Sequence, residues 1–125
     1  MRVVVVAESK SGEKRVALLP DIISKLTRAG LVVAVESGAG LNAGANDKDF
    51  SSAGAEVFPS SNQSKELSGA DVVLSVQPLS AQQASSLKSG AITISFLSAS
   101  SAGDSIAALA KAGATAFSLE AVPRI

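Results

Sequence analysis

With 125 residues, 46% of them hydrophobic and 18% charged, the chain is long enough for one ordinary domain and too apolar to be disordered. Eleven Lys and Arg balance eleven Asp and Glu, which removes the electrostatic footprint expected of a protein that binds nucleic acid or an anionic membrane surface. Neither Cys nor His occurs, so thiolate and imidazole catalysis and Cys/His zinc sites are excluded within these residues, and no carboxylate cluster suggests another metal site.

Taken in chain order, the first element is an apolar run, Val3–Ala7. It is too short for the apolar region of a signal peptide, and no run approaches the ~20 residues that cross a membrane. A polar loop, Ala7–Asp21, follows it. Pro20 to Ala29 then spaces Ile22, Ile23, Leu26 and Ala29 along one side of a helix, with Pro20 suited to its first turn. A second apolar run covers Leu31–Val35, and Asp47 to Ala53 reads as a short helix behind an Asn46 cap. A short strand at Ala55–Phe58 and a brief helix near Gln63–Leu67 come next. The run Val72–Val76 leads to Ser80-Ala81-Gln82-Gln83, a capping box for a helix reaching about Lys88. Ile92–Leu97 and Thr115–Leu119 flank a last helix, Asp104 to Ala112, whose Ile106, Leu109 and Ala110 are expected inside.

These runs are short, continuous and largely β-branched, as strands buried on both faces require. Gly30, Gly54, Gly90 and Gly113 each fall after a helix and before a strand, where a left-handed residue ends the helix. The rhythm predicts an α/β fold: a doubly wound, mostly parallel sheet of about five or six strands, flavodoxin- or Rossmann-like, incomplete at its carboxyl end.

Gly38, Gly40 and Gly44 approach the spacing of a dinucleotide-binding loop. The helix begins only after the last glycine, however, and Asp47 and Asp49 stand in its first turn. Carboxylates there complement the helix dipole themselves and repel a diphosphate, so the stretch reads as a turn.

The loop after the first strand lies at the carboxyl edge of the sheet, where open α/β folds bind ligands. It carries Glu8, Lys10, Glu13, Lys14 and Arg15. Arg15 is singled out because Val16-Ala17-Leu18-Leu19 anchors its backbone. Its guanidinium is suited to a bidentate carboxylate, either Glu8 as a structural partner or a ligand. At the other end Pro123 keeps Val122 extended, so Arg124 projects from the same edge. An uncovered apolar ending at Val122-Pro123-Arg124-Ile125 is expected of a fragment.

The stretches ESKSGEKRVALLPD, LTRAGLVVAVESGAG, AGAEVF, ADVVLSVQPL, ISFLSAS and LEAVPRI occur in the order and spacing of the alanine dehydrogenase/nicotinamide nucleotide transhydrogenase family. The resemblance covers essentially the whole chain. It implies that residues 1–125 are the opening portion of the N-terminal domain, with the glycine-fingerprint NAD domain lying outside them. Alanine dehydrogenases resembling the chain carry an Arg in RVA, a Lys in LLKV and a His after FL. Arg15 matches the first, but Ser75 and Ser98 occupy the other two positions. That leaves pyruvate binding and proton transfer without agents.

The ending resembles the start of the transhydrogenase loop beside the nicotinamide, which implies that Arg124 and Ile125 contact bound NAD(H). The resemblance further implies hydride transfer to NADP(H) on a partner domain, and no catalytic side chain within the chain. Implied partners are the missing NAD-binding domain, membrane and NADP-binding subunits, and a second copy in a homodimer. The location implied is the cytoplasmic face of the inner membrane. Two rivals are an alanine dehydrogenase-like enzyme with a degenerate substrate site and a non-catalytic flavodoxin-like binding module.

Overall fold

The computed structural model describes residues 1–96 and 103–119. Six strands form one parallel sheet in the order β3-β2-β1-β4-β5-β6. They are β1 (Arg2–Val5), β2 (Val32–Glu36), β3 (Glu56–Phe58), β4 (Val72–Leu74), β5 (Ile92–Ser95) and β6 (Thr115–Ser118). The helices are α1 (Pro20–Arg28), α2 (Asp47–Ser52), α3 (Gln63–Ser68), α4 (Ala81–Ser85) and α5 (Gly103–Ala112). The doubly wound α/β expectation holds, and the chain order reverses between β1 and β4.

Alternation along the strands explains why apolar residues run without a break. Val3, Val5, Val33 and Val35 face α1 and α2, packing with Ile23 and Phe50. Val4, Ala34 and Val73 face the opposite layer, with Leu67, Leu87 and Leu109 from the α3, α4 and α5 side. A strand covered on both faces has no polar position to give up.

Several boundaries and faces differ from expectation. On α5, Leu109 is buried, but Ile106 is 44% exposed and Ala110 is exposed too. The inward set is Ser105, Leu109 and Ala112, with Ala108 beside them. On α1, Ile23 is buried while Ile22 and Ala29 lie toward solvent. The helix expected to reach Lys88 ends at Ser85, although its Ser80–Gln83 capping box is present. The Asn46–Asp49 capping box of α2 also forms.

The amino edge of the sheet is closed by ion pairs. Arg2 pairs with Glu66 at 2.7 Å and Glu56 at 2.9 Å, and Lys88 pairs with Asp71 at 2.6 Å. Lys88, and then the Arg2 backbone N–H, hold the Asp71 carboxyl below its ordinary range.

Candidate functional site at the carboxyl edge

The glycine run folds as a closed turn. Gly38 and Gly44 take left-handed φ values of 82° and 86°, which only glycine adopts without strain. A Cβ on Gly40 would stand 2.5 Å from a Phe50 ring carbon and 2.8 Å from the Ala45 carbonyl oxygen. The Gly38 N–H donates to the Asp47 carboxylate at 2.8 Å, and Ser37 Oγ donates to the same group. Those donors hold the Asp47 carboxyl below its ordinary range. A backbone N–H that could face a phosphate is thereby already taken by a carboxylate of the chain itself.

The polar side chains converge instead where β1 and β4 end. Glu8 accepts hydrogen bonds from the backbone N–H groups of Val76 at 3.0 Å and Gln77 at 2.8 Å. Burial raises the Glu8 carboxyl above its ordinary value, against the lowering effect of those two N–H groups. Glu36, buried at the end of β2, accepts from the Ala7 N–H, Ser60 Oγ and Gln63 Nε2 at 3.1, 2.8 and 2.7 Å. Gln83 Nε2 in turn donates to Gln63 Oε1 at 3.2 Å, tying α4 to this network. The first loop is therefore clamped to the sheet by two carboxylates that cap backbone donors, each from a distant part of the chain.

Arg15, expected to pair with Glu8 or a ligand, pairs instead with Glu13. Glu13 accepts from Arg15 Nε at 3.0 Å, Nη2 at 2.9 Å and the Arg15 backbone N–H at 3.0 Å. The geometry within two residues is short enough for this bidentate pair, whereas Glu8 is committed to the end of β4. Gln77 Nε2 adds a fourth bond to Glu13 at 2.6 Å. Arg15 and then Gln77 lower the Glu13 carboxyl to about 2. The Phe96 ring lies under the guanidinium, 5.6 Å from Cζ to the centroid, in cation–π range.

Two cavities flank this arrangement. One, of about 340 Å³, is lined by Glu8, Lys10, Gln77, Ser80, Asp104 and Ser105. Ser105 Oγ is buried and has no hydrogen-bond partner among the described residues. The other, of about 410 Å³, is lined by Arg15 and by apolar side chains including Leu18, Leu74, Val76, Ile94 and Phe96. Ser75 borders both, its hydroxyl donating to the Gln77 carbonyl at 2.8 Å. Lys14 is exposed and lines neither cavity. Ser98, Arg124 and Ile125 lie outside the described residues. Among the described residues no group of three or more His, Cys, Asp or Glu side chains is placed to hold a metal ion, and no helix is long and apolar enough to cross a membrane.

Sequence reasoning missed Gln77, Glu36 and Phe96. A signal existed for the first two: each is a polar residue closing an apolar run at the carboxyl end of a strand.

The family described as "Alanine dehydrogenase/PNT, N-terminal domain" matches residues 4–125. The chain belongs to this family. Within the alanine dehydrogenase/PNT family, it is 36% identical to the first of the polypeptides that make up the NAD(P) transhydrogenase alpha subunit of Rhodospirillum rubrum, over 100% of the chain and 33% of that protein. It is 34% identical to the alanine dehydrogenase of Mycobacterium tuberculosis over 98% of the chain and 32% of that protein. The solved structure of the transhydrogenase from Sinorhizobium meliloti superposes with a TM-score of 0.90 at 37% identity, covering 100% of the chain and 36% of that structure. The chain thus spans about a third of the length of the relatives it matches.

Proposed function

We propose that residues 1–125 form the opening portion of the N-terminal domain of the NAD(H)-binding component of a proton-translocating NAD(P) transhydrogenase. The resemblance of the ending, Val122-Pro123-Arg124-Ile125, to the transhydrogenase loop favours this reading over the alanine dehydrogenase one, and Ser75, which also departs from many transhydrogenases, weighs only against the latter. Ser75 is an uncharged residue between the two carboxyl-edge cavities, its hydroxyl already bonded to a backbone carbonyl. Reduction of a 2-oxo acid requires a group that delivers a proton, and Ser75 is no such group. Direct hydride transfer between two nicotinamides requires orientation rather than a proton donor. Greater identity to the transhydrogenase subunit than to the alanine dehydrogenase agrees with that choice.

When bound, NADH supplies the hydride, and the residues of this chain shape one side of its surroundings. The glycine turn does not fit a diphosphate, because Asp47 occupies the Gly38 N–H. The dinucleotide's phosphates are therefore held by a further domain. The carboxyl edge forms a wall, with Arg124 and Ile125 touching the nicotinamide end. NADP(H) sits on a partner domain, the complete protein is a homodimer, and membrane subunits couple transfer to proton movement.

The test uses the complete polypeptide combined with its NADP-binding partner. NADH-dependent reduction of an NADP analogue is the expected outcome. NADH oxidation that instead depends on pyruvate and ammonia would establish the rival reading, an alanine dehydrogenase-like enzyme.

A further inference from the structure

Gln77 stands just past the end of β4, and its backbone and side-chain polar groups are all engaged. Its backbone N–H donates to Glu8 Oε1 at 2.8 Å, and its carbonyl accepts from Ser75 Oγ at 2.8 Å. Its side-chain Nε2 donates to Glu13 Oε1 at 2.6 Å, and Lys10 Nζ approaches its Oε1 at 3.5 Å. Glu13 in turn accepts from the backbone N–H, Nε and Nη2 of Arg15. A continuous run of hydrogen bonds, Glu8–Gln77–Glu13–Arg15, thus joins the two cavities. Glu8, Lys10 and Gln77 line the one of 340 Å³, and Arg15 lines the apolar one of 410 Å³.

The two ends of this run are held differently. Glu8 binds the end of β4 through both oxygens, one to the Val76 N–H and one to the Gln77 N–H. Arg15 is 61% exposed, and a long exposed side chain ordinarily samples many rotamers. Glu13 and Arg15 belong to one loop, so their pairing does not by itself fix either of them against the sheet. Two contacts from the sheet do so: the Gln77 amide on Glu13 and the Phe96 ring under the guanidinium.

We propose that Gln77 is a positioning residue that couples the two cavities. With its backbone held by Glu8 in one, its amide holds Glu13, and through Glu13 the Arg15 guanidinium at the other. Whatever disengages Glu8 from the end of β4 therefore loosens Arg15. This coupling goes beyond the function proposed above and needs neither NAD nor hydride transfer, so either can fail alone.

Direct charge effects and the hydrogen-bonded run act on Glu13 in opposite directions. The charged groups facing Glu8 are Glu13 and Arg15 of its own loop, with Lys10 and, from α5, Asp104 lining the same cavity. The α4 side contributes only the uncharged Ser80, Ala81 and Gln83. Making Glu8 neutral removes a like charge near Glu13, which alone lowers the Glu13 carboxyl further. Releasing Gln77 takes a donor from Glu13 and raises it.

Carbon-detected titration of the Glu13 carboxyl in Glu8→Gln reads the sign. From about 2 in the wild type, the midpoint is expected to rise by about one pH unit. Gln77→Met keeps the backbone groups and removes the amide; there the midpoint should already be raised, and adding Glu8→Gln should leave it in place or lower it. A Glu8→Gln midpoint at or below the wild-type value overturns the coupling, as does an equal rise with and without the Gln77 amide. If Glu8→Gln does not fold, acidification of the wild type and of Gln77→Met decides the matter. Burial raises the Glu8 carboxyl, so the Val76 and Gln77 amide resonances should share a step above pH 4.5. In the wild type the Arg15 Nε–H should show the same step, and in Gln77→Met it should lose it. An Arg15 step that persists in Gln77→Met, or is missing from the wild type, overturns the coupling.

Discussion

Strands β2 and β6 start from the same kind of sequence, and the fold treats them differently. Each follows a helix closed by a glycine, Gly30 or Gly113, and each carries the pattern of a buried strand. Val33, Ala34 and Val35 of β2 are at most 1% exposed, whereas Phe117 of β6 is 55% exposed. The difference lies in what surrounds them. β2 is paired on both sides, and its two faces contribute to two separate apolar clusters. Among the described residues β6 is paired only with β5 and lies at the edge of the sheet. An apolar run shows that a strand forms; it carries no information about whether a second layer covers it.

The largest effect should come from the well-covered half. Phe50→Ala removes a ring with no exposed surface, packed against Gly40, and should destabilise the chain by about 3–5 kcal/mol in urea unfolding. Phe117→Ala in the same chain should change stability by no more than about 0.5 kcal/mol. Equal losses from the two substitutions would erase the contrast between the halves.

A smaller effect sharpens the comparison at the carboxyl edge. Glu13 has its carboxyl lowered to about 2 in the folded chain by Arg15 and Gln77. A lowered carboxyl contributes stability that is complete above its ordinary pKa of 4.5 and disappears as pH falls through about 2. Carbon-detected titration of the Glu13 carboxyl should show that midpoint, and Arg15→Met should move it up toward the ordinary range. Because Arg15 is largely exposed, added salt should weaken the shift. A midpoint already at the ordinary value would mean that the pair does not hold in solution.

How legible all this is in the sequence depends on the distance between interacting residues. The strands, the mostly parallel character of the sheet, the Asn46 cap and the Ser80–Gln83 capping box are readable from pattern, whereas the strand order and the reciprocal Asp49 half of the Asn46 box come from the structure. The ends of β1 and β4 are not readable either. Ala7 and Val76 read as continuations of their strands, but their N–H groups go to Glu36 and Glu8, 29 and 68 residues away along the chain. The face of α5 differs from its pattern because a serine, Ser105, occupies an inward position that hydrophobic periodicity assigns to Ile106. At the site, the loop and Arg15 are marked by their place after β1. The choice of Glu13 over Glu8 requires knowing that Glu8 is already committed across the sheet.

The most direct test of the account is calorimetric titration with NADH, run on these 125 residues and on the longer polypeptide, with its NAD domain, that the proposed function implies. The account predicts tight binding by the longer protein and no micromolar affinity for the 125-residue chain, whose glycine turn is closed by its own aspartate. Micromolar affinity for the 125 residues alone would contradict it.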